Sequence, residues 1–276
     1  MNITLMCTDL DGTLLASNGK ISFRNIKAIQ ELAKRNVKIA LASGRPEDSL
    51  KQFTVRDLRV PTYKICFNGA LIVSPEGKVI NETLIDSESV LKIVSLAEKN
   101  AISVNFSTLD KWINFDPIYD MRKIDKYNET LTDIRVHTFD QMRQLLSDRK
   151  IQILKVGMHI SDSSLLKKMD SELSQIAINV FHSDREFLEA TAKKASKFMA
   201  IKEISSVNNW NLKNVMAFGD YENDLEMIAN VGHGVAMKNG IKKVQKAAEF
   251  VTDTNDKNGI ALVLNSVMKN GNYPKL

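Results

Sequence analysis

Short runs of hydrophobic residues alternate with helix-like segments over the first eighty positions. Strand-like apolar runs occupy residues 3–8, 37–42 and 64–67. The run at 37–42 has no polar alternation, which is typical of a strand buried on both faces. Amphipathic spacing predicts a helix over 22–35, with Ser22 as its N-cap, and a second helical segment near 47–53. This alternation of strands and helices predicts a parallel α/β sheet.

The pattern changes in the middle of the chain. Helical spacing recurs at 87–100, 118–128, 140–146 and 163–176, and strand-like runs occur at 102–106, 111–115, 153–160, 178–182 and 187–190. This order indicates an α+β arrangement, whereas residues 215–218 resume the buried-strand pattern. We therefore predict an α+β domain at 85–187 inserted into an α/β core made of 1–84 and 188–276. The length of 276 residues also favours two domains or one domain with a large insertion.

The composition is that of an ordinary soluble globular protein, with 43% hydrophobic and 26% charged residues. A net charge of +5, from 38 basic and 33 acidic residues, is too mild and dispersed for a nucleic-acid partner, but it suits an anionic substrate. No apolar run has the length of a membrane span or the form of a signal peptide. The two cysteines, Cys7 and Cys66, are too few for a disulfide framework, which indicates buried thiols and a cytoplasmic location.

Two carboxylates, those of Asp9 and Asp11, lie where the first apolar run ends and Gly12 begins a turn. Side chains two positions apart on an extended backbone point the same way, so both can face one pocket. Two like charges held that close repel, and burial adds a desolvation cost. A divalent cation such as Mg²⁺ removes both problems, because it prefers oxygen ligands. The alternative is an ordinary Asp-Gly hairpin turn.

Other chemically suggestive residues each follow a further apolar strand. They are Ser43, Gly44 and Arg45 after the second strand, Asn68 and Gly69 after the third, and Gly219 and Asp220 after the fourth. In open α/β sheets ligands bind beyond the carboxyl ends of the strands, so these strand ends predict one site. Ser43 and Gly44 suit a phosphate, although Ser43 could instead cap a helix. Arg45 could pair with the phosphate or anchor its loop through a carboxylate.

The segment that follows Asp220 carries further acidic and amide side chains. Asp224 lies four residues later, one helical turn on, and Asn223 can reach the same side. The alternative is an acidic first helical turn that complements the helix dipole. That alternative accounts for the charge, but it does not explain why Asp220 ends a buried strand with Asn223 beside it.

The order of these motifs resembles that of the haloacid dehalogenase-like (HAD) superfamily. The motifs are Asp9-x-Asp11-Gly12-Thr13, Ser43-Gly44-Arg45, Asn68-Gly69 and Gly219-Asp220-x-x-Asn223-Asp224. The arrangement is most similar to the Cof-type phosphatases, which insert a large C2 (type B) cap between the second and third family motifs. The resemblance implies a Rossmann-like parallel-sheet core and an inserted α+β cap that selects the substrate.

The resemblance also implies roles for individual residues. By motif position, Asp9 is the nucleophile that forms an aspartyl-phosphate, and Asp11 is the general acid and base. The Mg²⁺ ion is held by the Asp9 carboxylate, the Asp11 backbone carbonyl and Asp220, with Asp224 in support. The groups implied around the phosphoryl group are the backbone N–H of Leu10, Ser43, the N–H of Gly44 and Asn223, with Arg45 and Asn68 as supporting residues.

One further lysine is implied ahead of the last motif. Residues 188–198 align with this part of the family pattern, which makes Lys197 the cation that neutralises the phosphate. Without the resemblance, Lys197 would be one more solvated lysine. Lys194 and Phe198 stand where the family commonly has glycine, so Lys193 and Lys194 are kept as alternatives.

We therefore expect a Mg²⁺-dependent phosphatase acting on a small phosphorylated metabolite, either a sugar phosphate or a phosphorylated cofactor such as a flavin nucleotide or pyridoxal phosphate. The nearest rival is a sugar phosphomutase, which must shield its aspartyl-phosphate from water. A non-catalytic regulator that binds a phosphometabolite is an alternative of another class, but such a protein needs no nucleophile. We expect no membrane or nucleic-acid partner, and the sequence leaves the oligomeric state open.

Overall fold

The computed structural model describes residues 1–115, 132–147 and 151–275. The chain divides into two compact units, the first made of Met1–Ile80 with Ser196–Leu276 and the second of Asn81–Ala195. The helix predicted at 118–128 lies outside the described residues. Within the described ranges, no helix combines the length and the apolar character that crossing a bilayer requires.

The described residues form strands and helices in the following order. The strands are β1 (Leu5–Thr8), β2 (Lys38–Ala42), β3 (Thr62–Cys66), β4 (Leu71–Val73), β5 (Val79–Glu82), β6 (Ser103–Ser107), β7 (Lys111–Phe115), β8 (Thr132–Val136), β9 (Lys155–His159), β10 (Ile178–Asp184), β11 (Phe187–Ala192), β12 (Val215–Gly219), β13 (His233–Ala236) and β14 (Phe250–Val251). The helices are α1 (Phe23–Lys34), α2 (Glu47–Gln52), α3 (Ser87–Lys99), α4 (Phe139–Leu146), α5 (Ser163–Leu173), α6 (Lys197–Val207), α7 (Leu225–Asn230), α8 (Lys242–Ala247) and α9 (Gly259–Asn270).

The first sheet has the strand order β14-β13-β12-β1-β2-β3-β4-β5. The first six strands in this order are parallel to one another, and β4 is antiparallel to β3. This topology confirms the predicted α/β core. Strand β1 lies between β12 and β2, so the carboxyl end of the first strand has neighbours from both ends of the sequence.

Burial on both faces explains why the strands of this sheet lack alternation. Every residue of β1 and of β12 is buried, so neither strand has a solvated face that would require polar residues. Helix α1 buries Ala28, Ile29 and Leu32 as one stripe. The hydroxyl of Ser22 accepts the N–H of Asn25 at 3.1 Å, which confirms the predicted N-cap.

The second unit contains a six-stranded sheet in the order β10-β11-β9-β6-β7-β8. Its described neighbours are antiparallel except β7 and β8. Side chains alternate between an apolar and a polar face, as expected for such a sheet. One cross-strand row contains Val104, Phe115, Met158 and Leu188, all buried, and the adjacent row contains Asn105 and Glu189.

The predicted domain boundary at residue 188 is wrong, because it cuts through β11. Strand β11 (Phe187–Ala192) pairs with β9 and with β10, so residues 188–195 belong to the second unit. The first boundary also moves, from 84 to 80. Strand pairing depends on residues distant in the sequence, and a local hydrophobic pattern does not show which sheet a strand joins. Strand β8 (Thr132–Val136) was not predicted from the sequence pattern.

Candidate active site

Asp9 and Asp220 become neighbours because β1 and β12 pair in parallel. Thr8 lies opposite Phe218 in this pair, and the N–H of Asp9 donates to the carbonyl of Phe218 at 3.0 Å. Each carboxylate therefore follows directly on one of two adjacent strands. Both residues are buried. The structure thus brings together acidic groups from near the beginning and near the end of the sequence.

Three buried carboxylates form a cluster around one lysine. Asp9, Asp220 and Asp224 each have a carboxylate oxygen within 4.8 Å of those of the other two. The ammonium of Lys197 donates to Oδ1 of Asp9 at 2.6 Å and to Oδ1 of Asp224 at 2.7 Å. The side chain of Lys197 is only 1% exposed. With all four groups ionised, three negative charges face one positive charge.

This excess of negative charge appears in the pKa values of the cluster. Burial, followed by the charge of Asp224, raises the pKa of Asp220 to about 7. Burial also raises the pKa of Asp9 well above its usual range, although the charge of Lys197 opposes the shift. For Lys197, burial lowers the pKa, but the charges of Asp224 and Asp9 outweigh burial and the pKa is raised. A further cation would lower the electrostatic cost of ionising these carboxylates.

Asp224 holds the loop that carries Asp220. Its Oδ2 accepts the backbone N–H groups of Asp220, at 2.9 Å, and Tyr221, at 3.2 Å, while its Oδ1 accepts Lys197. A side chain at Gly219 would collide with the Asp224 carboxylate, so this close approach requires glycine. Both oxygens of Asp224 are engaged inside the protein, which favours a supporting role over that of a direct metal ligand.

The side chain of Asp11 does not join the cluster. Its two oxygens accept a bidentate pair from Arg45, with Nε at 2.8 Å and Nη2 at 2.5 Å. The Asp11 side chain is 47% exposed, in contrast to that of Asp9, at 9%. Of the two alternatives left open for Arg45, the structure shows the carboxylate contact.

Gly12 and Thr13 contact Asp220, and the sequence reasoning assigned neither of them to the site. The hydroxyl of Thr13 donates to Oδ1 of Asp220 at 2.5 Å. Gly12 has a φ of +79°, and a Cβ there would collide with the Asp220 carboxylate. Both residues directly follow the Asp9-x-Asp11 pair in the sequence, and this position is the feature that could have identified them as part of the site.

The loops after β2, β3 and β12 are joined by hydrogen bonds. The carbonyl of Ser43 accepts the N–H of Asn68 at 2.9 Å, and Oγ of Ser43 accepts the N–H of Arg45 at 3.3 Å. The Asn223 amide donates to Oδ1 of Asn68 at 3.1 Å. These contacts bring together the predicted phosphate-binding and supporting residues Ser43, Arg45, Asn68 and Asn223. Leu10, which lies between Asp9 and Asp11 in the sequence, is buried, and Gly44 is half-buried.

The turn after Asp11 is held by residues from the last part of the chain. The Asn239 amide donates to the carbonyl of Gly12 at 2.7 Å, and its Oδ1 accepts the N–H of Asn255 at 3.0 Å. The Asn255 amide donates in turn to the carbonyl of Leu15 at 2.9 Å. Sequence reasoning missed this bracing role, because single asparagines in loops carry no distinguishing local pattern.

The structure distinguishes between the three candidate lysines. Lys197 is the first residue of α6, whose N-cap, Ser196, accepts the N–H of Met199 at 3.1 Å. Lys193 and Lys194 are exposed, and the Lys193 ammonium lies 3.5 Å from the carbonyl of Ile178 in the second unit. Lys197 is therefore the one that reaches Asp9.

The sequence model of the haloacid dehalogenase-like hydrolase family matches residues 6–264. The chain belongs to this family. A putative phosphatase of Haemophilus influenzae is 31% identical to the hydrolase over 268 residues, which cover 93% of this chain and 95% of the relative. The 5-amino-6-(5-phospho-D-ribitylamino)uracil phosphatase YcsE of Bacillus subtilis is 27% identical, covering 95% of this chain and 94% of the relative.

The fold of the hydrolase matches that of solved members of the family. A haloacid dehalogenase-like hydrolase from Bacteroides thetaiotaomicron superimposes with a TM-score of 0.80 at 28% identity. The match covers 96% of this chain and 99% of the other. The family inferred from the motif order is therefore confirmed, as is its α/β fold.

Replacing Lys197 by methionine is expected to destabilise the first unit. The variant leaves Asp9 and Asp224 buried without their cation, and breaking a buried ion pair costs about 3 to 5 kcal/mol. The measurement is urea unfolding in a chelator, in a Trp112→Phe background, so that Trp210 of the first unit is the fluorescent reporter. The matched control Lys194→Met removes an exposed lysine and should change stability by no more than about 0.5 kcal/mol. Equal effects of the two substitutions would contradict the buried pairing.

The raised pKa of Asp220 predicts that the metal-free hydrolase loses stability as the pH rises. Its carboxyl ionises near 3.8 in the unfolded chain and near 7 in the folded one, so the folded state holds an extra proton between these values. The stabilising contribution is complete below the unfolded pKa and is lost as the pH rises through about 7. We expect the unfolding free energy in a chelator to fall from about pH 4 to about pH 7 and to level off above that, and to fall less in Asp220→Asn. An equally steep fall in that variant would refute the assignment.

Proposed function

We propose that the hydrolase is a Mg²⁺-dependent phosphatase that cleaves small phosphomonoesters through an aspartyl-phosphate on Asp9. Phosphatase activity is supported by the family and by the named activities of its relatives. The observation that carries the detailed proposal is the position of Asp9, a buried carboxylate beside Asp220 and in direct contact with Lys197. Lys197 supplies the positive charge and the fixed orientation that a carboxylate needs in order to attack an anionic phosphate.

The residues present fit a magnesium ion. Asp9 and Asp220 offer carboxylate oxygens, the hard ligands that Mg²⁺ prefers, on adjacent strand ends. The raised pKa values of both groups support the proposal, because a further cation beside them would favour their ionised forms. Asp9, Asp220 and the backbone carbonyl of Asp11 would hold the ion, with Asp224 orienting the loop. When bound, the ion supplies charge neutralisation at the attacking carboxylate and the transferring phosphoryl group.

In the first half of the proposed reaction, a carboxylate oxygen of Asp9 attacks the substrate phosphorus. A bond forms between that oxygen and phosphorus, and the bond from phosphorus to the leaving alkoxide oxygen breaks. Asp11 gives its proton to the leaving oxygen, which departs as the alcohol. Lys197 already contacts the attacking carboxylate, and its charge opposes the negative charge of the phosphoryl group.

In the second half, water hydrolyses the aspartyl-phosphate. The Asp11 carboxylate takes a proton from water as the water oxygen bonds to phosphorus. The bond from phosphorus to the Asp9 oxygen then breaks, which releases inorganic phosphate and restores both carboxylates to their starting roles. Uncatalysed phosphomonoester hydrolysis is so slow that such an enzyme must supply on the order of 20 kcal/mol of transition-state stabilisation.

The substrate class follows from charge and from the relatives. The net charge of +5 suits an anionic metabolite. One relative is named as a phosphatase of 5-amino-6-(5-phospho-D-ribitylamino)uracil. We infer a sugar phosphate or a phosphorylated cofactor as the substrate, selected by the second unit. A phosphomutase would transfer the phosphoryl group to a second sugar alcohol instead of water. A non-catalytic regulator would bind the phosphometabolite without turnover.

Substitution of Asp9 by asparagine should lower phosphate release by about a thousandfold or more, because the amide is not a nucleophile for phosphorus. Phosphate release is measured from a panel of sugar phosphates and phosphorylated cofactors, with Mg²⁺ and with excess chelator. The control Asp140→Asn changes a side chain that is 92% exposed and should retain activity. Full activity in Asp9→Asn would exclude the covalent route, and full activity in chelator would exclude the metal.

The same assay separates the rival functions. Labelled sugar bisphosphate yields free phosphate with a phosphatase and relabelled sugar phosphate with a mutase. A regulator yields neither, although it binds the metabolite.

Exchange of residues 81–195 for the corresponding unit of a family member with different substrates should change the order of preference in the panel. The proposed nucleophile and its neighbours all lie in the first unit, so the chimera and the unsubstituted hydrolase share them and differ only in the second unit. The ratio of kcat/KM values between two panel substrates is the measurement. An unchanged ratio in a folded chimera would show that selection resides in the first unit.

A further inference from the structure

Arg45 and Asp11 form a fork-to-fork ion pair at the rim of the acidic cluster. Nε of Arg45 donates to Oδ2 of Asp11 at 2.8 Å and Nη2 donates to Oδ1 at 2.5 Å. Such bidentate geometry fixes both the position and the plane of the carboxylate, which a single contact does not do. The pair therefore determines where the Asp11 carboxylate lies.

The arginine is itself held in place. Its N–H donates to Oγ of Ser43, and its carbonyl accepts the N–H of Phe67 at 3.1 Å. Its Nη1 lies 3.4 Å from Oγ of Ser49, and its guanidinium stands 5.8 Å from the centre of the Phe53 ring. Both the backbone and the side chain of Arg45 are thus held in place, so the guanidinium has a defined position from which to orient the Asp11 carboxylate.

The held carboxylate faces water, whereas the nucleophile does not. The side chain of Asp11 is 47% exposed, and that of Asp9 is 9% exposed. A general base for hydrolysis must reach a water molecule and keep its oxygens oriented toward it. The fork leaves the remaining lone pairs of the Asp11 oxygens for this purpose, because each oxygen accepts one N–H in the pair.

We propose that Arg45 is a positioning residue for the second half of the reaction, in which the Asp11 carboxylate takes a proton from the water that hydrolyses the aspartyl-phosphate. This inference rests on the proposed phosphatase function. Arg45 acts through Asp11 and not on the substrate phosphate, because binding that phosphate with Nε and Nη2 would break the pair. Loss of the fork slows breakdown of the aspartyl-phosphate, and it leaves formation intact when the leaving group needs no proton from Asp11.

The test uses p-nitrophenyl phosphate, whose leaving group needs no proton and so isolates the water-dependent half. In Arg45→Gln, rapid mixing should show a burst of about one equivalent of p-nitrophenolate per site, with a burst rate within about twofold of the unsubstituted hydrolase. The steady-state kcat should fall about tenfold or more, as expected when a reacting group is misplaced. Arg45→Lys keeps the charge without the fork and should show the same burst with a smaller fall.

Two further variants test whether Arg45 acts through Asp11. If Arg45 acts through Asp11, the double variant Asp11→Asn with Arg45→Gln should turn over no more slowly than Asp11→Asn alone. The matched control Arg56→Gln removes another arginine that forms a bidentate pair, with Asp57, and should leave both phases unchanged. Fluorescence of Trp210, again in the Trp112→Phe background, reports whether the first unit is folded in each variant.

The outcomes separate this inference from the proposed function. A slower burst and a raised KM in both Arg45 variants would mean that Arg45 binds the substrate phosphate, and this would overturn the inference alone. Additive losses in the double variant would overturn it as well. Absence of phosphate release from every substrate in the unsubstituted hydrolase would overturn the proposed function and the inference together.

Discussion

The site depends on the burial of three carboxylates against one ammonium. Asp9, Asp220 and Asp224 are brought within 4.8 Å of one another, and the only described cation in contact with Asp9 and Asp224 is that of Lys197. Like charges that are buried away from water raise the free energy of the folded state unless a cation pairs with them. The protein tolerates this cost where the sheet is most constrained, at the carboxyl ends of its two central parallel strands. The unbalanced charge of this cluster is thus also what the proposed metal ion would neutralise.

Much of the fold and of the site could be predicted from the sequence because strand ends are local features. Asp9, Ser43, Asn68 and Asp220 each follow an apolar run, and parallel strands place such positions at one edge. The motif alignment favoured Lys197, but setting aside the alternatives Lys193 and Lys194 needed the structure. Three nearby lysines look alike in sequence, and only the start of α6 and the cap at Ser196 decide which one faces Asp9.

Other features could not be predicted, because they depend on contacts between distant residues. The membership of β11 in the second sheet is set by pairing with β9, not by its own pattern. The contact between Arg45 and Asp11 was one of two alternatives that charge alone left open. Asn239 and Asn255 stabilise the turn after Asp11 by donating to backbone carbonyls, and the sequence around these asparagines does not predict such contacts.

The place of β12 beside β1 has a consequence for biosynthesis. A nascent polypeptide that has emerged only as far as β11 contains Asp9 but neither Asp220 nor Asp224. In such a chain β1 lacks one of its two sheet partners, and the edge that β12 will cover is still open. The acidic cluster therefore assembles late in translation, by contacts that span most of the polypeptide, and pairing of β12 with β1 belongs to the slow class of non-local folding events.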